Sequence, residues 1–377
     1  MYIIYATPAK FGVLPPKTPL LSEEVLFTNN IAYCPKFFWK KYHIAQGCRD
    51  LSPGWMKRMR KNRDLRNILI IATGGIGDSM WCMPLAKELR RRHPRSAILI
   101  ACSDRAMPVW QHVAYANLCV SDVFWNLQNL VRSAEEVFDF AGIATGEGPE
   151  KKLDPVEAIF RQAELPLPKN KKDCRPELVL TIDEGKRAEA TLKREGVRTG
   201  SDKIVALCLE SSTSNRNWVF EYAKILTRRL IAEGIKVLWL GETTDWETRM
   251  LDDETNALGA VNLVHKTKLR EAMAVIALSD VFIGPASGLM VIATALEIPT
   301  IGLFGAFDPR VRSKFYDKFI PLWHKIDCAP CGNHWTECAK GHPAPCMKTL
   351  GPNEVYDAVK RALKMYPRPT ISKLPIE

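Results

Sequence analysis

The run Ile68-Leu69-Ile70-Ile71-Ala72-Thr73 limits what this chain can fold into more than any other feature. A continuous apolar, β-branched stretch without polar alternation reads as a parallel strand buried on both faces. It leads into Gly74-Gly75-Ile76-Gly77-Asp78 and then a helical pattern from Met80 to Arg92, closed by Pro94. The same texture returns at Ala97–Cys102, Ile204–Leu209, Lys236–Gly241, Val281–Ile283 and Thr300–Gly305, with shorter runs at Val120–Phe124, Val137–Phe140 and Glu177–Leu180. Helices are predicted at Asp154–Ala163, Glu184–Glu195, Phe220–Ala232, Leu269–Leu278, Leu289–Leu296 and Asn353–Met365. Strands alternating with helices imply parallel sheets covered on both faces. The expected fold class is therefore α/β, with two doubly wound, Rossmann-like domains facing each other across a cleft.

A chain of 377 residues has room for two such domains. The change of texture at Asn67 and the glycines Gly196 and Gly200 place them at 67–200 and 201–327. Residues 1–66, interrupted by six prolines, read as an N-terminal appendage, 328–346 as a Cys-rich segment, and 347–377 as a terminal helix and tail. A hydrophobic share of 46% with 25% charged residues excludes wholesale disorder. No apolar run reaches the ~18 residues of a membrane span. The first residues lack the pattern of a secretory signal, so the expected location is the cytoplasm, compatible with a place at the inner membrane's surface. Fifty-three Lys and Arg against forty-two Asp and Glu leave a charge of +11, which favours anionic partners. The runs 57–63 and 90–95, where part of that charge sits, read as solvated helix faces.

Three strand-to-helix loops carry the residues suited to chemistry. In the first, Gly75 and Gly77 let backbone amides approach a ligand, and Asp78 follows at the helix start. The spacing fits neither a dinucleotide fingerprint nor a phosphate-binding Walker loop. Asp78 reads either as a helix cap or as a general base at the carboxyl end of a parallel sheet. The second loop, Ser211-Ser212-Thr213-Ser214-Asn215-Arg216-Asn217-Trp218, reads either as a Ser/Thr-rich cap and loop or as a diphosphate site, for which it offers hydroxyls, one fixed positive charge and free amides. The third, Gly284-Pro285-Ala286-Ser287-Gly288-Leu289, could give the same phosphates consecutive N–H groups from Ser287, Gly288 and Leu289. Four of the eleven cysteines, Cys328, Cys331, Cys338 and Cys346, fall within nineteen residues. That spacing suggests a structural zinc or iron ion on four thiolates, with His324, His334 or His342 as alternative ligands to one Cys, against the plainer reading of four free or paired thiols.

In order and separation, these segments resemble glycosyltransferase family 9, the ADP-heptose:lipopolysaccharide heptosyltransferase group, from about Asn67 to Lys364. The motifs are Ile68–Ile71 with Gly77-Asp78, Pro84-Leu85 and Arg90–Pro94, then Ser211–Trp218, then Ser279–Gly288 running to Ile298–Gly305. The four-Cys segment is similar to the C-terminal metal knot of autotransporter heptosyltransferases. The resemblance implies a GT-B fold, with a nucleotide-sugar on the C-terminal domain and the acceptor on the N-terminal one. Under it Asp78 takes the place of the catalytic base, Arg216 that of a phosphate-binding Lys, and Ser211 and Ser212 that of a Thr pair, with Ser214 beside them. Ser287, Gly288 and Leu289 fall on the loop that holds the donor diphosphate, Glu242 near the ribose hydroxyls and Thr267 near the base.

The activity so implied is inverting transfer of a heptose-like sugar from an ADP-heptose-like donor to an acceptor hydroxyl. The acceptor is expected to be anionic: a saccharide, a protein or modified nucleic acid. No DxD pair lies near these loops, so no catalytic Mg²⁺ is expected. Homo-oligomers are compatible with this reading. Ala286 and Val291 stand where lipopolysaccharide heptosyltransferases carry Asp and His. These departures favour an alternative, a non-catalytic nucleotide-sugar-binding or scaffold protein that kept the fold.

Overall fold

Parallel pairing runs through two separate sheets. The computed structural model describes residues 4–5, 66–122, 127, 130–131, 134–141, 153–242, 248–332 and 337–367. They fall in two compact units that divide between Leu178 and Val179. The first unit contains β1 (Ile4–Tyr5), β2 (Asn67–Ala72), α1 (Ile76–Trp81), α2 (Met83–Arg92), β3 (Ala97–Cys102), β4 (Leu118–Ser121), β5 (Glu136–Asp139) and α3 (Pro155–Gln162). Its strand order is β1-β4-β3-β2-β5, parallel throughout. All residues of β2 and β3 are buried, as an uninterrupted apolar run requires. Leu69, Ile71, Leu99, Ala101, Leu118 and Val120 form one apolar face with Leu130. Because β3 and β4 lie on one side of β2 and β5 on the other, the strand order reverses between β2 and β5. Open α/β sheets bind ligands beyond the carboxyl ends of the strands at such a reversal.

The basic end of α2 is only partly a solvated face. Arg91 and Arg92 share Glu88, while Arg90 turns inward to the Ser96 carbonyl at 2.7 Å and to the Asn117 side chain. Of the appendage expected at 1–66, the described residues are Ile4–Tyr5, which add an edge strand beside β4, and Arg66. The rest of it lies outside the described residues, as do the run 57–63 and the tail 368–377.

The second unit contains α4 (Ile182–Arg194), β6 (Ile204–Cys208), α5 (Phe220–Ala232), β7 (Lys236–Leu240), α6 (Thr248–Leu258), β8 (Val261–Asn262), α7 (Leu269–Ala277), β9 (Val281–Pro285), α8 (Gly288–Ala295), β10 (Thr300–Phe304), α9 (Pro309–Arg312), β11 (Phe319–Trp323), α10 (Pro345–Lys348) and α11 (Pro352–Met365). Its order is β11-β10-β9-β6-β7-β8, also parallel throughout, with the reversal between β6 and β9. The core joins Val205, Leu207, Trp239 and Ile283 to Met347, Val355 and Val359 of the C-terminal segment.

Three expectations are corrected here. The boundary lies before α4, not at Gly196–Gly200, because α4 packs on α7 and is pinned there. Glu184 accepts from Arg270 at 2.7 and 2.6 Å, and from the Thr181 amide at 2.8 Å. The Cys-rich segment and terminal helix are not separate modules, since Ala329, Ala344, Cys346 and Leu350 belong to the second unit's core. Glu177–Leu180 forms no strand. Conversely, α6, β8 and β11 lacked a clear signal: β8 has two residues, and β11 contains Pro321, which only an edge strand tolerates.

Burial alone would raise the Glu184 carboxyl, but the Arg270 and Thr181 bonds outweigh it and bring it down to about 2. A carboxylate depressed in the folded state stabilises above its unfolded value near 4.5, and that contribution is lost as pH falls through about 2. Glu184→Gln should cost on the order of 1–2 kcal/mol at neutral pH. It should also flatten the loss of stability between pH 5 and 2, as urea denaturation across that range would show.

Candidate active site

In the first unit the candidate loop leaves β2 at the strand-order reversal. Gly74 has φ +125°, and a Cβ there would lie 2.8 Å from Asp78 Oδ2. Glycine is thus required twice over, by the backbone conformation and by the carboxylate's approach. Gly75 donates its amide to Asp78 Oδ2 at 2.7 Å, so Asp78, third residue of α1, caps its own helix. The loop is held from both ends. Ser103 Oγ donates to the Gly74 carbonyl at 2.8 Å, and Trp110 Nε1 to Ser79 Oγ at 2.8 Å inside the core. Gly77 is buried, Gly75 is exposed and Asp78 is half-buried. Burial, and next the Asp78 charge, push the Cys82 thiol well up, which leaves it neutral and unreactive.

In the second unit the loops after β6 and β9 meet at the other reversal. Arg216 joins them: its Nη1 donates to the Ala286 carbonyl at 2.7 Å, its Nε to Thr213 Oγ1 at 2.8 Å and its Nη2 to Ser212 Oγ at 2.9 Å. Two buried asparagines shape the loop beneath it. Asn217 Oδ1 accepts the Ser211 amide at 2.8 Å, and Asn215 Oδ1 accepts the Thr213 hydroxyl at 2.8 Å. Trp218 Nε1 anchors the loop's end on the Leu350 carbonyl at 2.9 Å. Ser211 Oγ donates to the Thr213 carbonyl, and Ser214 opens the short turn Ser214–Arg216.

Beyond β9, Ser287 caps α8 by accepting the Met290 amide at 3.4 Å. The amides of Gly288 and Leu289 therefore open the helix, where anions are favoured. The approach is close: a Cβ on Gly284 would lie 3.0 Å from Cys208 Cβ and from the Phe282 ring. Burial pushes the Cys208 thiol up to about 12, against hydrogen bonds to the sulfur from the Glu210 backbone and Ser287; the neutral thiol donates to the Glu210 carbonyl at 3.1 Å. At Gly241, φ +115°, a Cβ would lie 3.4 Å from Cys208 Sγ and 3.6 Å from Leu289 Cδ1, so the end of β7 runs close to both. Exposed Glu242 follows it. Thr267, half-buried, lies on the neighbouring loop, which His265 ties to the Gly241 carbonyl at 3.0 Å.

The structure thus gathers Arg216, Ser212, Ser287, Gly288 and Leu289 around the β6–β9 reversal and sets Glu242 and Thr267 on the adjoining strand ends. Sequence reasoning passed over Asn215, Asn217, Gly284 and Phe307. The asparagines sit within the Ser-rich loop; the two-residue spacing of Thr213 and Asn215 is a signal that could have found Asn215, whereas Asn217 bonds a backbone amide six positions away. Phe307 underlies the Arg216 guanidinium at 5.6 Å, a contact no local pattern shows. At Ala286 and Val291 the side chains are buried, Val291 within α8.

The four-thiolate site is corrected. Among the described residues no group of three or more His, Cys, Asp or Glu is arranged to hold a metal ion. Burial, and then nearby Cys331 and Cys338, raise the Cys346 thiol, so these three are neighbours. They do not form a common ligand set: Cys346 is packed against Gly305, whereas Cys331 is exposed and Cys328 and Cys338 are half-buried. His324 pairs with Glu354 at 3.2 Å, and His334 lies outside the described residues. No described helix is long and apolar enough to cross a membrane.

Residues 150–340 match the family model of glycosyltransferase family 9 (heptosyltransferase). Lipooligosaccharide heptosyltransferase 2 of Haemophilus influenzae is 27% identical over 303 residues, with 67% of this chain and 87% of that protein covered. Among solved structures, E. coli ADP-heptose LPS heptosyltransferase II superposes with a TM-score of 0.62 at 17% identity, covering 79% of this chain and 99% of the other. The iron-containing dodecameric glycosyltransferase TibC of enterotoxigenic E. coli gives 0.58 at 15% identity, covering 80% and 77%.

Gly74→Ala should destabilise the first unit by about 1–3 kcal/mol, because its φ is strained for any L side chain and its methyl meets Asp78. Chemical denaturation would measure this. Gly196→Ala, at φ +71° but with nothing near its Cβ, separates the conformational cost from the clash and should cost less.

Proposed function

Because the chain belongs to glycosyltransferase family 9, the heptosyltransferase family, we propose that it transfers a heptose-like sugar from a nucleoside-diphosphate donor to an acceptor hydroxyl, with inversion. The observation that carries this reading is the Arg216 bridge between the loops after β6 and β9, beside the amides that open α8. A cation and unpaired helix amides at a strand-order reversal suit a diphosphate. The structural relatives include one described in complex with ADP-D-β-D-heptose, which supports an ADP-heptose-like donor.

Asp78 is assigned as the base. It accepts the acceptor's proton as that oxygen attacks the anomeric carbon and the bond to the diphosphate breaks. The diphosphate gains negative charge as it departs. Arg216 and the amides of Gly288 and Leu289 stabilise it, an effect worth several kcal/mol in such sites. Ser211, Ser212, Ser214 and Ser287 are assigned to the phosphate loops, Gly75 and Gly77 to the turn around Asp78, Glu242 to the ribose and Thr267 to the base. With the cationic side chain in this role, transfer is proposed to need no divalent ion. The net positive charge favours an anionic acceptor.

Asp78→Asn should bind donor as the native chain does and lose about 10²–10⁴-fold in transfer. Native-like turnover by that variant would remove Asp78 from the base role. Native transfer should persist in EDTA; its loss there, with recovery on adding Mg²⁺, would overturn metal independence. Ala286 and Val291 favour the second reading, a binding protein without turnover. A native chain that binds nucleotide-sugars yet neither transfers nor hydrolyses them would establish it.

A further inference from the structure

The chain passes from one unit to the other at Leu178–Val179, and side chains hold it on both sides of that point. Before it, the buried Tyr115 donates its hydroxyl to the Glu177 carbonyl at 3.4 Å, and Lys87 Nζ lies 3.3 Å from Glu177 and 3.4 Å from Asp173. After it, Arg270 Nη2 donates to the Val179 carbonyl at 2.8 Å, while the same guanidinium grips Glu184 through Nε and Nη2. The Arg270 and Glu184 side chains are each 11% exposed, so the clamp is a nearly dry bidentate pair, stiffer than a surface one. The Thr181 amide joins it by donating to Glu184.

Arg270 is the second residue of α7, and the residue before that helix's cap is Thr267, which the donor reading gives to the base. The stretch between them is short and tied. The Lys268 amide donates to Glu271 at 2.8 Å and closes the first turn of α7. At the other end of loop 263–267, the His265 amide donates to the Gly241 carbonyl at 3.0 Å, at the end of β7. A nucleotide settled against this loop orders it. The closed helical turn passes that order on as a body, because packed elements do not deform continuously. The turn bears Arg270, and Arg270 holds Val179 and Glu184. We propose that Arg270 is a positioning residue that couples the donor loop to the chain's passage between the units, so that nucleotide binding stiffens residues 178–183. The inference rests on the donor reading above and adds to it a route out of the site.

The test is hydrogen exchange on the full chain, with and without whichever of ADP, GDP, UDP and CDP calorimetry shows it to bind best. In the native chain the bound nucleotide should slow exchange of the amides of residues 178–183 about fivefold. Arg270→Lys keeps the charge but not the planar fork that serves Glu184 and Val179 together. It should still bind the nucleotide and still slow at 263–267, yet lose the slowing at 178–183. An Arg270 that only held the fold would, when replaced, raise exchange at 178–183 equally in both states and leave the nucleotide's effect there intact. Glu184→Gln removes the carboxylate that orients the fork and should lose the same response; it carries the test should Arg270→Lys fail to fold. A native chain that binds a diphosphate without slowing at 178–183, or a folded Arg270→Lys that keeps the full response, overturns the coupling and leaves the donor reading in place. A native chain that binds none of the four diphosphates overturns both.

Discussion

One guanidinium holds the second unit's site together. The strands β6 and β9 are hydrogen-bonded neighbours, but the loops that leave them diverge, since each leads to a helix on its own side of the reversal. Nothing in the sheet ladder fixes the distance between those loops. Arg216 does, reaching from the end of one to the Ala286 carbonyl seventy positions further along the chain. A charged donor on a buried carbonyl contributes more than an ordinary hydrogen bond, about 1.5–3 kcal/mol, and its loss would leave the carbonyl unpaired. Gly284 makes the bridge possible from below, because a side chain there would force β9 away from Cys208.

The first unit solves a comparable problem with a carboxylate. Asp78 accepts the Gly75 amide, so the helix-cap reading holds, and the proposed base role falls on the same group. A carboxylate has about four lone-pair sites, and a cap on one oxygen fixes its direction without using its whole capacity. The two glycines before it serve this arrangement: Gly74 supplies the positive φ, and Gly75 the amide. In both units, then, the polar group suited to chemistry also sets the shape of the loop that presents it. Removing it disturbs position and reactivity together, which is why conservative replacements such as Asp to Asn are the informative ones.

Most of the strand framework was legible because buried parallel strands are written as unbroken apolar runs, and β2, β3, β6, β7 and β10 have that character. The positions of the loops were legible for a related reason, since glycine and hydroxyl residues mark the turns and helix caps that follow buried strands. What the sequence hid was tertiary. The Glu184–Arg270 pair joins residues 86 positions apart and carries α4 across the boundary that Gly196 and Gly200 suggested. Phe307 reads as one more apolar residue after a strand until two arginines are seen against it. The hydroxyls expected to face phosphate are partly engaged by the loop itself, Ser211 with the Thr213 carbonyl and Ser287 with the Met290 amide.

The Cys-rich segment has a packing role that its spacing does not show. Four cysteines in nineteen residues look like a self-contained knot, yet this stretch supports the turn after β10. A Cβ on Gly305 would meet Cys346 Sγ at 2.6 Å and Met347 Sδ at 2.7 Å, so the sulfurs lie hard against the backbone there. The Gly332 amide donates to the Ala306 carbonyl at 2.8 Å from the other side. The next residue is Phe307, the ring beneath Arg216 and Arg312. Clamped between a buried thiol, a buried thioether and a backbone bond, residues 305–307 have little freedom, and the ring inherits that rigidity. A displacement at Cys346 has no soft element to absorb it before reaching the ring, because packed interiors transmit strain. The segment's chemistry and the site's electrostatics are thereby joined through three consecutive residues, Gly305, Ala306 and Phe307.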